Sequence, residues 1–338
     1  MSDKVLLDYG SGGKASQRLI GELFLKHFDN PELRRMNDGA VLKLGGRVAV
    51  STDTFTVDPP FFPGGDIGRL AVHGTVNDVA MMGAAPRYLT CGFIIEEGLE
   101  METLTRIVKS LGEAAREAGV WVVTGDTKVV PKGAVDKIFI NTTGIGEITV
   151  DPAPAGDRAR PGDAILISGT VGDHGLAILS TRQGLSFDTP VLSDCASLNG
   201  IVADVLAGAG DVHVLRDPTR GGLATTLNEI AIASDVTCEI EEDLIPVRPE
   251  VRGGCSLLGM DPLYLANEGK FLCILPEAQA EAALTAMRAN PLGAGAVRIG
   301  SVQAKERADA PGRVVLKTGL GGRRLLGMLE GEQLPRIC

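Results

Sequence analysis

The sequence predicts a mixed α/β or α+β protein of about two domains, on three observations. The chain has 338 residues, against roughly 150 per domain. Strand-like and helix-like segments alternate in both halves, with helices often following one another, which argues against one simple doubly wound sheet. The stretch 151–163, DPAPAGDRARPGD, concentrates Pro and Gly between periodic segments and marks a domain boundary or a long surface connection.

The elements follow in order. Ala15–Phe28 is helix-like. Arg47–Phe55 reads as a strand, with Val48 and Val50 leading into Ser51-Thr52-Asp53-Thr54. The break Phe61-Phe62-Pro63-Gly64-Gly65 precedes Asp66, which is placed to cap a helix from Ile67 to about Met82. Arg87–Ile95 is a strand. Met101–Ala118 carries Leu104, Ile107, Val108, Leu111, Ala114 and Ala115 on one helical face, and Gly119 ends it. Val120–Thr124 is a short buried strand leading to Gly125-Asp126-Thr127-Lys128, and Lys137–Ile148 is another strand. In the second half, strands are expected at Ala164–Ser168, Val236–Ile240, Phe271–Leu275, Val297–Val302 and Val314–Lys317. Helices are expected at Asp173–Thr181, Asp194–Gly208, Gly221–Ser234 and Pro276–Ala289. From Gly319 the glycines 319, 321, 322, 327 and 331 predict a flexible arm. The expected units are residues 1–155, 156–318 and a tail 319–338.

Composition narrows the function classes. Gly makes up 44 of the 338 residues, nearly twice the usual ~7%, without a collagen period, so many special backbone positions are needed. The net charge of −10, with no basic run, argues against a nucleic-acid surface. No stretch approaches the ~20 apolar residues of a membrane span, nor does the N-terminus look like a signal peptide. The expected compartment is the cytoplasm. The six Cys show no CxxC spacing; five read as core fillers and the sixth, Cys338, is the last residue.

Five motifs could carry chemistry. Gly10-Ser11-Gly12-Gly13-Lys14 stands before a helix, where backbone N–H groups can cradle an anion; a flexible turn with a helix cap is the alternative. Asp38, Asp53, Asp78 and Asp126 each stand beside Asn, Thr or Gly (Asn77 and Thr127 among them). Hard oxygen ligands drawn from several elements suit Mg²⁺ shared with nucleotide phosphates, whereas each Asp alone also reads as a turn residue or cap. Asp217-Pro218-Thr219-Arg220-Gly221-Gly222 can hold terminal phosphates or simply open a helix. Asn267-Glu268-Gly269-Lys270 puts a carboxylate before a buried strand, as a general base or as a turn. Pro335-Arg336-Ile337-Cys338 ends in a thiol and its own carboxylate, which disfavours the thiolate; a mere chain end is the bland alternative.

Taken together, these residues resemble the HypE family of hydrogenase maturation factors over essentially the full length. That family belongs to the superfamily of aminoimidazole ribonucleotide synthetase, selenophosphate synthetase and thiamine-monophosphate kinase. The most specific parts are Gly10–Lys14, residues 61–68, Gly74-Thr75-Val76-Asn77-Asp78, residues 123–130, Gly172-Asp173-His174-Gly175, Asp217–Arg220, Asn267-Glu268-Gly269 and the terminal Pro-Arg-Ile-Cys. Family members often carry His where this chain has Tyr9. The resemblance implies an α+β, two-domain aminoimidazole ribonucleotide synthetase-like fold, with the N-terminal domain forming a β-barrel across a homodimer. It implies ATP and Mg²⁺ as cofactors. It also implies the carbamoyltransferase HypF and the HypC–HypD iron scaffold as partners. The implied activity is ATP-dependent dehydration of an S-carboxamide on Cys338 to a thiocyanate. In that picture Asp38, Asp53, Asp78 and Asp126 hold Mg²⁺ and phosphates. Gly10–Lys14, Asn77, Thr127, Asp217 and Arg220 bind the nucleotide, while Lys128 and Glu268 act at the amide. Two rivals differ by feature. A selenophosphate synthetase should carry a reactive Cys in the first glycine run, which is absent here, and a non-catalytic thiol carrier would not hydrolyse ATP.

Overall fold

The computed structural model describes residues 3–10, 14–37, 39–185, 190–330 and 335–338. The expected site residues Ser11, Gly12, Gly13 and Asp38 lie outside the described residues.

The N-terminal part opens with helices Lys14–Leu19 (α1) and Leu25–Phe28 (α2), joined by a π-helical turn, Ile20–Phe24. Next come β1 (Val48–Phe55), the two-residue strands β2 (Phe61–Phe62) and β3 (Gly65–Asp66), α3 (Ile67–Met81), β4 (Ala84–Glu96), α4 (Met101–Ala118), β5 (Trp121–Val130) and β6 (Ile138–Ile148). Strands β1, β6, β4 and β5 form a sheet in that order, antiparallel except for the parallel pair β4–β5. A parallel pair needs a crossover, and α4 supplies it. Alternation along β4 sends Leu89, Cys91, Phe93 and Ile95 into the core beneath α3 and α4. Asp66 caps α3 as expected: its Oδ1 accepts from the N–H of Gly68 at 2.8 Å and of Arg69 at 3.0 Å, and its Oδ2 from Ser110 Oγ at 2.6 Å. Gly119 ends α4 in the left-handed region at φ 71°.

The C-terminal part comprises β7 (Asp163–Ile167), α5 (Asp173–Gln183), α6 (Asn199–Ala209), β8 (Val214–Arg216), α7 (Gly222–Ala233), β9 (Thr237–Glu241), α8 (Pro249–Leu258), β10 (Leu272–Pro276), α9 (Ala280–Ala289), β11 (Val297–Gln303), β12 (Arg313–Lys317) and β13 (Arg323–Leu326). Its seven strands run in the order β13-β12-β9-β11-β7-β10-β8, and the strand residues alternate between two apolar cores.

Three expectations change. Strand β5 does not end at Thr124 but continues through Gly125-Asp126-Thr127-Lys128, paired to β4 as far as Val130. Any Cβ at Gly125 would lie 2.2 Å from the carbonyl of Cys91, so this glycine permits close strand approach. The helix expected from Asp194 starts only at Asn199, because 193–198 bonds to other segments: Ser193 N–H to Pro63 O, Ala196 N–H to Glu268 O and Leu198 N–H to Asn77 Oδ1. The expected arm is partly built in, since β13 pairs with β12 and Leu326 is buried. The barrel expected across a homodimer needs a second chain: among the described residues of one chain the four-stranded sheet is open, with β1 and β5 as edges.

Candidate active site at the domain junction

Four carboxylates lie within electrostatic reach of one another where the two halves face one another. Strand β1 carries Asp53. Helix α3 carries Asp78, which accepts from Ser51 Oγ at 2.6 Å. The segment after β8 carries Asp217, and the one before β10 carries Glu268. Asn267 fixes the last two: its Oδ1 accepts from Gly172 N–H at 2.8 Å, and its Nδ2 donates to Pro218 O and Leu265 O. Glu268 is buried, its N–H donates to Asp194 Oδ1 at 3.0 Å, and its Oε1 has no hydrogen-bond partner among the described residues.

The electrostatics follow from that crowding. Burial, then Asp217, Asp194, Asp53 and Asp78, push the Glu268 carboxyl well above the ordinary range. Burial and then Asp78 push Asp217 up to about 7. Asp53 is raised by burial and Asp78, against Arg220, while burial raises Asp78 against Ser51, Arg216 and Arg220. Such a cluster is poised to receive positive charge.

The C-terminal residues of the same chain dock at this junction. Thr56 N–H and Oγ1 donate to Cys338 O, Asp58 N–H donates to Arg336 O, and His174 Nε2 donates to Ile337 O at 2.9 Å. Because a carbonyl only accepts, Nε2 carries the proton; Nδ1 then accepts from Ser193 Oγ at 2.8 Å. The Arg182 guanidinium donates to the carbonyls of Asp58, Pro335 and Arg336. Ile337 is buried, and Cys338 packs against the N-terminal core. Burial first, then Glu268, push the Cys338 thiol up to about 12, with Arg220 opposing.

That shift has a sign. A docked thiol at about 12 against an ordinary 9.0 favours docking below pH 9, and the preference is lost as pH rises from 9 towards 12. Iodoacetamide should therefore alkylate Cys338 far more slowly at pH 8 than the thiol of a free Pro-Arg-Ile-Cys peptide. The ratio should narrow steadily above pH 9; a ratio near one at pH 8 would contradict the docked thiol.

The structure separates the other expected residues. Asp126 and Lys128 pair with each other at 2.8 Å on β5, both exposed, and Lys128 holds the Asp126 carboxyl below the ordinary range. Three strand spacings separate β5 from β1, roughly 14 Å at ~4.8 Å each. The expected metal quartet is thus not assembled in one chain: Asp53 and Asp78 are together and Asp126 is apart. Among the described residues no three His, Cys, Asp or Glu converge to hold a metal. Asn77 bonds to backbone at both amide ends, Nδ2 donating to Ala196 O and Oδ1 accepting from Leu198 N–H, so it latches the 193–198 segment. Thr127 N–H turns back to Asp126 Oδ1, and Lys14 is exposed at the start of α1. At Gly10 a Cβ would meet Val129 N at 2.4 Å, which lets the N-terminal segment lie on β5. Asp126, Thr127 and Lys128, with Tyr9, Gly10 and Asn37, line a cavity of about 490 Å³ beside that segment. Sequence reasoning missed Arg182 and Asp136, and noted His174 only within the motif Gly172-Asp173-His174-Gly175. Their partners include main-chain carbonyls and a residue 200 positions away, which leave no local signal.

The chain matches the family of AIR synthase related proteins in both parts, the N-terminal domain over residues 36–148 and the C-terminal domain over residues 160–312. It is 54% identical to the carbamoyl dehydratase HypE of Cupriavidus necator, over 100% of this chain and 95% of that protein. It is similar to the crystal structure of a hydrogenase maturation protein HypE in complex with ATP, with a TM-score of 0.96, 68% identity and coverage of 98% of this chain and 99% of that one. A chain of a HypE–HypF complex is similar at a TM-score of 0.81 and 48% identity, covering 92% of this chain and 99% of that one.

Proposed function

From the premise that the chain belongs to the HypE family of carbamoyl dehydratases, within the AIR synthase related fold, we propose that it dehydrates an S-carboxamide on Cys338 to a thiocyanate, using ATP. The product supplies the cyanide ligand for the iron of [NiFe]-hydrogenase. One observation carries this reading: the terminal thiol is docked within electrostatic reach of Glu268, Asp53 and Arg220, and Glu268 Oε1 is buried with no hydrogen-bond partner among the described residues.

The residues suit the chemistry in order. An amide oxygen is a poor leaving group. Transfer of the γ-phosphoryl group to it, with loss of one N–H proton, makes an O-phosphorylated imidate and ADP. Loss of the second N–H proton expels phosphate and completes the C≡N bond. Carboxamide and ATP thus become thiocyanate, ADP and phosphate. Glu268 accepts amide protons, since burial makes its carboxylate a strong base for its type. Arg220 neutralises phosphate charge. Asp53 and Asp78 offer the hard oxygens for Mg²⁺, which binds through one or two carboxylates plus phosphates rather than an all-protein cage; when bound it would neutralise charge on the transferring group.

The Asp126–Lys128 pair fits through a second copy. Val50, Ile145, Tyr88 and Trp121 stand in register across all four strands, on the sheet face away from α3 and α4, with Val50 62% and Trp121 47% exposed. An apolar row beside two open edges invites burial. We assign it to a homodimer in which β5 of each chain pairs with β1 of the other, closing an eight-stranded barrel. Lys128 then clamps phosphate beside the acidic cluster of the partner subunit. HypF, seen bound to a HypE relative, would load the carbamoyl group, and the HypC–HypD scaffold would receive the cyanide. The six free thiols suit a reducing cytoplasm.

With Cys338 carbamoylated, ATP and Mg²⁺ should remove one water from the tail, seen by mass, with ADP formed; an unchanged tail would sink the reading. For the dimer, D53N and K128A should each be nearly inactive alone, and mixing the two through dissociation should restore activity, because one junction of each mixed pair is intact. If mixing restores nothing, Lys128 does not serve the partner.

A further inference from the structure

We propose that the groove holding residues 335–338 is a self-contained binding site for a C-terminal tetrapeptide, Pro-Arg-Ile-Cys, that accepts the peptide in trans, and that Asp136 selects its arginine. The chemical use of this site rests on the reading of Cys338 as the carrier thiol; the docking does not.

Every one of the four residues is recognised. Thr56 and Asp58 donate their N–H groups to Cys338 O and Arg336 O at 2.9 and 3.3 Å, adding the peptide as a strand of antiparallel sense to the chain just after β1. His174 takes Ile337 O, and Arg182 takes the carbonyls of Pro335 and Arg336. These contacts read the main chain and so fix register and depth without regard to side chains. Two contacts read identity. Ile337 is 4% exposed within the N-terminal core. The Arg336 guanidinium donates to Asp136 Oδ2 at 2.6 Å and to Thr56 O at 2.7 Å, and its carbon lies 5.6 Å from the centre of the Phe139 ring. Asp136 answers with a carboxyl held below its ordinary range, first by that bond to Arg336. Reversing this charge would put like charges together in a partly buried place, which is costly.

Such a dock owes its occupancy to the tether, because a linked segment acts at an effective concentration in the mM range. Releasing the native tail by one substitution therefore exposes the groove to a free peptide. The test uses the full-length chain. R336D, or I337D as an independent way to release the tail, should bind fluorescently labelled Pro-Arg-Ile-Cys saturably, at least tenfold more tightly than wild type, whose own tail competes. The peptide with Asp in place of Arg should bind R336D at least tenfold more weakly than the native peptide. The double variant D136R/R336D re-forms the ion pair in reverse, so its own tail should again exclude the native peptide and protect Cys338 from alkylation. Absence of saturable binding to both release variants, with their melting unchanged, overturns the proposal, as does equal binding of the charge-reversed peptide. An S-carbamoylated peptide that binds R336D but survives ATP and Mg²⁺ unchanged supports the dock and counts against the carrier chemistry, so the two failures are distinguishable.

Discussion

Replacing Glu268 by Gln should slow thiocyanate formation by about 10²–10⁴-fold, the usual contribution of a positioned general base, while ATP binding is retained. Gln keeps the size and the backbone bond to Asp194 Oδ1 but cannot take an amide proton. The same change should stabilise the fold. The wild-type carboxyl is raised well above its ordinary 4.5, chiefly by burial and then by Asp217. The unfolded chain therefore ionises first, and wild-type stability falls as pH rises above that ordinary value towards the folded one. An uncharged side chain escapes this loss. The expected pattern is a slower enzyme whose melting temperature exceeds that of wild type by more at pH 8 than at pH 5, a trade of stability for function. Full activity in E268Q would remove Glu268 as the base. An unchanged melting temperature at pH 8 would mean that the carboxylate is relieved of its neighbours by some other route.

Cys338→Ala should abolish product altogether while leaving the dock in place. The substitution removes only the thiol, and Thr56 holds this residue by its main-chain oxygen. The neighbours that hold the tail, His174 and Arg182, contact carbonyls of residues 335–337. Melting and ATP binding should match wild type, whereas carbamoylation of the tail, followed by mass, and cyanide release should both be absent. Cyanide made by C338A would show that the carboxamide is carried elsewhere.

Much of the architecture could be read in advance because it rests on short-range preferences. The helix Met101–Ala118 is found at the expected residues, since its apolar face repeats every 3.6 residues and Gly119 supplies the left-handed stop. Asp66 was legible as a cap for the same local reason. Among the elements that escaped notice are β8, α8 and β13. The first and last have three and four residues, too short for a period to register, and both depend on pairing with neighbouring strands. Glycine misled in one place: the strand was expected to stop before Gly125, yet the missing Cβ there serves contact between adjacent strands.

The candidate site divides in the same way. Asp53, Asp78, Asp217 and Glu268 stood out as carboxylates in suspect settings, and the terminal Pro-Arg-Ile-Cys stood out as a motif. What residue types are present, where caps and periods fall, and which family they match are properties of neighbouring residues, so the chain alone determines them. Which of those groups meet is decided only in three dimensions. Asp53 and Asp126 looked equivalent, but strand order puts them on opposite edges of one sheet. Thr56 and Cys338, 282 residues apart, are hydrogen-bonded because two separate sheets and their cores pack to form one junction. Contacts between distant segments carry a loop-closure cost that only cooperative packing offsets, and main-chain carbonyls, which every residue possesses, make most of the tail's dock invisible until the chain is folded.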